Sequence, residues 1–112
     1  MQPEIKKYLY DIRQAADLVA EFTLDKTLQD YKRDAMLSAA VEREFEIIGE
    51  ALNHISKIDK DIAEKISGYQ RIIAFRNILI HGYASVDDQL VWDVVENKLP
   101  TLRKEVEKLL TD

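Results

Sequence analysis

Along almost the whole chain apolar residues return every third or fourth position, the spacing of amphipathic helices and not the alternation of strands. Ile5, Leu9, Ile12, Ala16 and Val19 form one such stripe. Pro3 stands ahead of it, where a first helical turn loses nothing from a missing N–H. This predicts a helix ending near Phe22. Residues 23–30 are polar, with Asp25 and Thr27 available as caps, and read as a connection holding at most one short turn. A longer helix is predicted over residues 31–56, on the series Met36, Ala40, Ile47, Ala51 and Ile55 with Leu37, Phe45, Ile48 and Leu52 on its flanks. Gly49 lies mid-helix, where glycine costs roughly 0.5–1 kcal/mol relative to alanine. Close approach of another helix would offset that cost.

Residues 59–66 form a weak helical segment that Ser67-Gly68 ends. Asp87 or Asp88 can cap a further helix carrying Leu90, Val91, Val94 and Val95, with Trp92 on its flank. Leu99-Pro100 restarts a last helix through Leu102, Val106, Leu109 and Leu110. Four or five helices joined by short loops make an all-α bundle.

One segment breaks the pattern. Over residues 69–81, Ile72, Ile73, Ala74, Phe75, Ile78, Leu79 and Ile80 point in nearly every direction around a helix, which predicts burial on most sides. Yet the segment carries Arg76, Asn77 and His81, and it ends at Gly82, a natural C-terminal stop. Buried polar groups are costly unless satisfied. These three therefore need partners, a subunit interface or a ligand.

Composition narrows the function classes. A chain of 112 residues suits one domain, taken as residues 1–112. The absence of cysteine excludes disulfides, thiolate zinc sites and cysteine nucleophiles. The longest apolar run is four residues, Ile72 to Phe75, too short for a membrane span. With no secretory apolar region near Met1, the chain reads as a cytoplasmic protein. Its net charge of −5 makes it a poor non-specific binder of nucleic acid. The charge is uneven: residues 1–56 hold seven Lys/Arg against eleven Asp/Glu, and residues 57–112 hold nine against ten. An anion site is expected in the second half.

Asn77 and His81 are four residues apart and so neighbours on one helix face, where the Asn77 amide can orient the imidazole. Arg76 and His81 are five apart, about 140° around a regular helix. They converge on one small group only if the helix ends between them or if a second chain supplies one of them. A symmetric dimer with this helix end at its axis would place two histidines and two arginines in one cleft. Arginine offers a permanently charged fork suited to phosphate, and histidine a proton donor or acceptor near neutral pH. Together they suffice for metal-free transfer at an RNA phosphodiester. The plainer reading is that Arg76 is ion-paired in the core and His81 caps a helix end.

Other constellations are weaker. Glu42, Glu46, Glu50 and His54 form a stripe at four-residue steps, but no matching Glu and His set stands on another helix, as a carboxylate-bundle metal site requires. They read as a solvated face, with one carboxylate a candidate partner for Arg76. Asp87, Asp88 and Asp93 read as helix-start charge. No phosphate-binding glycine loop, nucleophile elbow or zinc-ligand pair is present.

The string Arg76-Asn77-Ile78-Leu79-Ile80-His81-Gly82-Tyr83 resembles the signature of the HepT-like branch of the HEPN superfamily, in which Arg is followed by four residues, His, one residue and Tyr. Tyr8-Leu9-Tyr10-Asp11-Ile12, Glu46-Ile47-Ile48-Gly49-Glu50-Ala51, Val91-Trp92 and Leu99-Pro100 match in the same order, so the resemblance spans nearly the whole chain. It implies an all-α bundle of four to five helices forming a symmetric homodimer. It further implies a metal-independent RNA endonuclease used as the toxin of a toxin–antitoxin pair, needing no cofactor. The partner implied is a small nucleotidyltransferase of the MNT type, an antitoxin that transfers AMP from ATP onto the signature tyrosine. By position, Arg76 and His81 become catalytic, Asn77 supporting and Tyr83 the modified residue. One departure is Ile78, where relatives often carry a basic residue, which removes a positive charge from the surface offered to RNA. Two other functions stay open on the residues themselves. One is a non-catalytic bundle that holds a nucleotide or partner protein through Arg76 and His81; the other is an interaction module whose trio only fixes dimer geometry.

Overall fold

The protein's structure, a computed structural model, describes residues 1–82 and 86–112. Its described elements are α1 (Pro3–Thr23), α2 (Leu28–Arg33), α3 (Ala35–Ile58), α4 (Lys60–Glu64), α5 (Tyr69–His81), α6 (Asp88–Asn97) and α7 (Leu99–Thr111), with no strand among the described residues. The all-α expectation holds. The α1 stripe is buried as expected, from Ile5 through Val19, and packs on α3. Helix α3 is central, lying against both α1 and α5, while α7 packs on α1 and α6, and α2 closes on α6. Among the described residues no helix is long and apolar enough to cross a membrane.

The expected helix over 31–56 is instead two helices. Thr27 and Asp30 form a reciprocal cap: Asp30 N–H donates to Thr27 Oγ1 at 3.2 Å, and Thr27 N–H donates to Asp30 Oδ2 at 2.9 Å. That box starts α2 within the stretch read as a connection. The backbone then turns extended at Asp34 (φ −112°, ψ 96°), whose carboxylate accepts from Leu37 N–H at 3.0 Å and caps α3. Periodicity missed this break because a single capped residue hardly shifts the apolar rhythm. The buried residues of α3 are Leu37, Val41, Phe45, Ile48, Gly49, Ala51, Leu52 and Ile55, which include Ala51 and Ile55 of the predicted stripe, whereas Met36 of that stripe is 83 % exposed.

Tyr31 thereby falls in α2, buried, with its ring 5.5 Å from that of Trp92 on α6. Its hydroxyl is buried without a hydrogen-bond partner, the nearby Ser38 hydroxyl donating to Glu42 Oε2 instead, at 2.9 Å. Burial pushes the phenol up to about 12; the carboxylates of Glu42 and Asp88 add to this and Ser38 opposes it. A phenol that holds its proton more tightly when folded stabilises the fold fully below its unfolded value of about 10, and that contribution is lost as pH rises through 12. The shift corresponds to about 2–3 kcal/mol. Tyr31→Phe is therefore expected to change stability little at pH 7, since it deletes an unpaired buried group. Urea titrations from pH 9 to 12 should show the parent falling below the variant only above pH 10. Parallel declines would remove Tyr31 from the account.

Two glycines and one packing contact set α5. Gly68 takes φ +68°, a left-handed conformation natural to glycine, and so lets the chain turn into α5 after Ser67. Gly82 ends α5 as expected but without a positive φ: at φ −107° its N–H bonds Ile78 O at 2.7 Å, and a Cβ there would stand 2.8 Å from the same oxygen. Burial on most sides is not what α5 shows. Ile72, Phe75 and Leu79 are buried, but Ile78 is 47 % exposed and Ala74 is exposed. The reason is geometric. Among the described helices, α5 packs extensively on α3 alone, so its outer side is open.

Candidate active site

Arg76 lies where α5 crosses Gly49 of α3. A Cβ built on Gly49 would overlap Arg76 Cβ and stand 2.8 Å from Arg76 Cγ and 3.4 Å from the carbonyl oxygen of Ile72. The close approach expected at this mid-helix glycine is therefore made by the chain's own α5. Phe45, one turn earlier on α3, meets Phe75 edge-on, with ring centroids 5.4 Å apart at 74°. Together these contacts hold the Arg76 stem half-buried against α3.

The guanidinium is not neutralised. Among the described residues Arg76 forms no ion pair, and the carboxylates of Glu42, Glu46 and Glu50 are not within salt-bridge distance of it. Its Nε is buried and without a hydrogen-bond partner. Its Nη1 donates to Asn77 Oδ1 at 3.0 Å. The core ion pair of the plainer reading is thus absent, and Asn77 serves Arg76, not the imidazole of His81. An unpaired positive charge anchored by its aliphatic stem is costly for the fold alone and is suited to receive an anion.

His81 is the last residue of α5 and is exposed. The helix does not end between Arg76 and His81: the Gly82 N–H still closes a helical bond to Ile78 O. The two side chains therefore leave one unbroken helix about 140° apart, and a helix end does not fall between them. Tyr83 lies outside the described residues.

The remaining candidates resolve as helix-surface chemistry. His54 stacks on Tyr8 of α1, with centroids 4.9 Å apart at 9°, and lies 3.9 Å from Glu50. Among the described residues no group of three or more His, Asp or Glu could hold a metal ion. Asp87 caps α6 by accepting from Gln89 N–H at 2.9 Å, as helix-start charge should. A surface groove of about 620 Å³ lies between α1 and α7, shares no lining residue with α5, and carries the Arg13–Glu107 and Arg103–Asp17 pairs. Beside the α5 signature there is instead an apolar groove of about 240 Å³ between Ile72, Phe75 and Ile78 on one side and Leu90 and Val94 of α6 on the other.

Comparison with known proteins decides the family. The model of the family described as "Ribonuclease HepT-like" matches residues 12–109. The chain belongs to the HepT-like family. That match takes in α3, with its glycine notch, and the whole of α5. Among curated relatives, "Putative RNase MJ1380" of Methanocaldococcus jannaschii is 39 % identical over 93 % of this chain and 94 % of its own length. "Probable ribonuclease HepT" of Thermococcus cleftensis is 36 % identical over 97 % of this chain and 98 % of its own. No solved structure shows a significant match. For a HepT-like chain the resemblance seen in the signature string extends over the full bundle. What sequence reasoning missed was the specific contact between Gly49 and Arg76, although glycine in a long helix was the signal for a contact of some kind.

Proposed function

We propose that this HepT-like protein is a metal-independent endoribonuclease whose cleft forms from two copies of the chain. The observation that carries the reading is the pair of facts at α5: an unneutralised Arg76 anchored on α3, and a His81 that the unbroken helix turns away from it. The exposed Ile78 and open outer side of α5 supply apolar surface for the second copy. In the cleft, one His81 imidazole takes the proton of an RNA 2′-hydroxyl, and the 2′-oxygen attacks the adjacent phosphorus. His81 of the partner subunit, in its protonated form, gives its proton to the departing 5′-oxygen. Arg76 stabilises the negative charge added at the phosphoryl oxygens. The products are a 2′,3′-cyclic phosphate and a 5′-hydroxyl. Residues 1–112 act as one domain in this reading.

Regulation follows the family resemblance. An MNT-type nucleotidyltransferase, encoded as antitoxin to this toxin, transfers AMP from ATP onto the Tyr83 oxygen and releases pyrophosphate. The added phosphate lies two residues from His81, competes for Arg76 and repels the RNA backbone.

The test is incubation of purified protein with RNA in excess EDTA. Cleavage leaving cyclic phosphate and 5′-hydroxyl ends is expected, and it should stop after treatment with ATP and the cognate nucleotidyltransferase, with one or more AMP masses mapped to Tyr83. Nucleotide binding without any cleavage would return the protein to the non-catalytic reading. Modification at another residue would remove the regulatory part alone.

A further inference from the structure

We propose that Gly49 is a positioning residue for Arg76: its missing side chain lets α5 seat so that the Nε edge of the guanidinium is sealed and Arg76 meets an anion end-on. Three observations meet here. The space a Gly49 side chain would need is filled by Arg76 Cβ and Cγ, the latter 2.8 Å from an ideal Cβ, where ordinary carbon contacts stand at about 3.5–4.0 Å. Arg76 Nε is buried and unpaired. Arg76 Nη1 is tied to Asn77 Oδ1 at 3.0 Å.

A guanidinium grips an oxyanion with two parallel N–H groups, either side-on through Nε and one terminal nitrogen or end-on through both terminal nitrogens. Burial of Nε closes the side-on approach. The end-on approach remains, with Asn77 fixing the rotation of the fork. Gly49 touches no reacting atom and acts only through where it lets Arg76 stand. Positioning of this kind matters because a displacement of about 1 Å in a charge-stabilising group costs on the order of 100-fold in rate. Any side chain at Gly49 must move the Arg76 stem, and the fork moves with it.

The inference rests on the ribonuclease reading for its kinetic consequence but not for its structural one, so the experiment has separate arms. Thermal midpoints are measured for the parent, Gly49→Ala, Arg76→Gly and the double variant. Helix propensity alone makes alanine the better residue mid-helix, so a lower midpoint for Gly49→Ala in the parent background reports the clash. In the Arg76→Gly background the same change should be neutral or raise the midpoint, and the double variant keeps the comparison readable if Gly49→Ala alone folds poorly. An equal drop in both backgrounds overturns the proposal. In NMR spectra of the parent, Arg76 Nε–H is expected as a resolved, slowly exchanging signal that averages in Gly49→Ala. A parent signal exchanging like that of a surface arginine also overturns it. In single-turnover RNA cleavage, Gly49→Ala should lose about 100-fold at saturating RNA while KM stays within about threefold. Parent-like cleavage by this variant sinks the positioning role. A parent that cuts no RNA while the midpoints still couple would overturn the ribonuclease reading and leave the fit of Gly49 to Arg76 standing.

Discussion

Arg76→Ala and His81→Ala are each expected to slow RNA cleavage by about a thousandfold while keeping the helical circular dichroism of the parent. The magnitudes follow from the roles. A positioned general acid or base contributes typically 10²–10⁴-fold, and one charge-stabilising donor about 10²–10³-fold. Neither substitution should unfold the chain. His81 is exposed at a helix end, and truncating Arg76 removes a buried donor that has no partner, which offsets much of the packing it gives up. A mixing experiment separates one chain from two. Because the cleft uses His81 from both copies, dimers that pair a parent chain with a His81→Ala chain should cut far more slowly than half the parent rate. Variants that cut as well as the parent, or mixed parent and His81→Ala dimers that keep half or more of the parent rate, are the outcomes the cross-chain cleft does not survive.

Phe45→Ala is expected to cost about 3–5 kcal/mol in urea unfolding, the range for emptying a large aromatic site in a core. Phe45 is 1 % exposed and meets Phe75 edge-on, at 5.4 Å. It therefore supports the core and holds α5 to α3 at once. The loss should exceed that of truncating Ile78 of α5, a residue 47 % exposed, by several-fold. A cost under about 1 kcal/mol would mean that α5 is held by something other than this aromatic contact.

Much of this was legible in the residues. Spacing placed the α1 stripe, and the glycines at 68 and 82 bounded α5 correctly. A glycine in the middle of a long apolar helix pointed to a close neighbour, and Arg76 is that neighbour. The break at Asp34 was hidden because a capping carboxylate interrupts hydrogen bonding without interrupting the recurrence of apolar residues. Met36 is the second residue of α3, directly after its capped start, and lies off the buried line. The open side of α5 was misjudged for another reason. Periodicity reports that a surface is apolar, and burial within one chain depends on what lies over it. Asn77 was assigned to His81 by the four-residue rule, yet its carbonyl oxygen accepts from the adjacent Arg76; neighbours in sequence can meet when a long side chain folds back.

The notch at Gly49 also acts as a detent. Helix α3 contains one glycine, flanked a turn away on either side by Phe45 and Asn53. Sliding α5 along α3 by a single turn, about 5.4 Å, would bring the Arg76 stem against a side chain in either direction. The two helices can thus mesh at one longitudinal setting, and the distance from the guanidinium to the tip of α5 is set before any second molecule arrives.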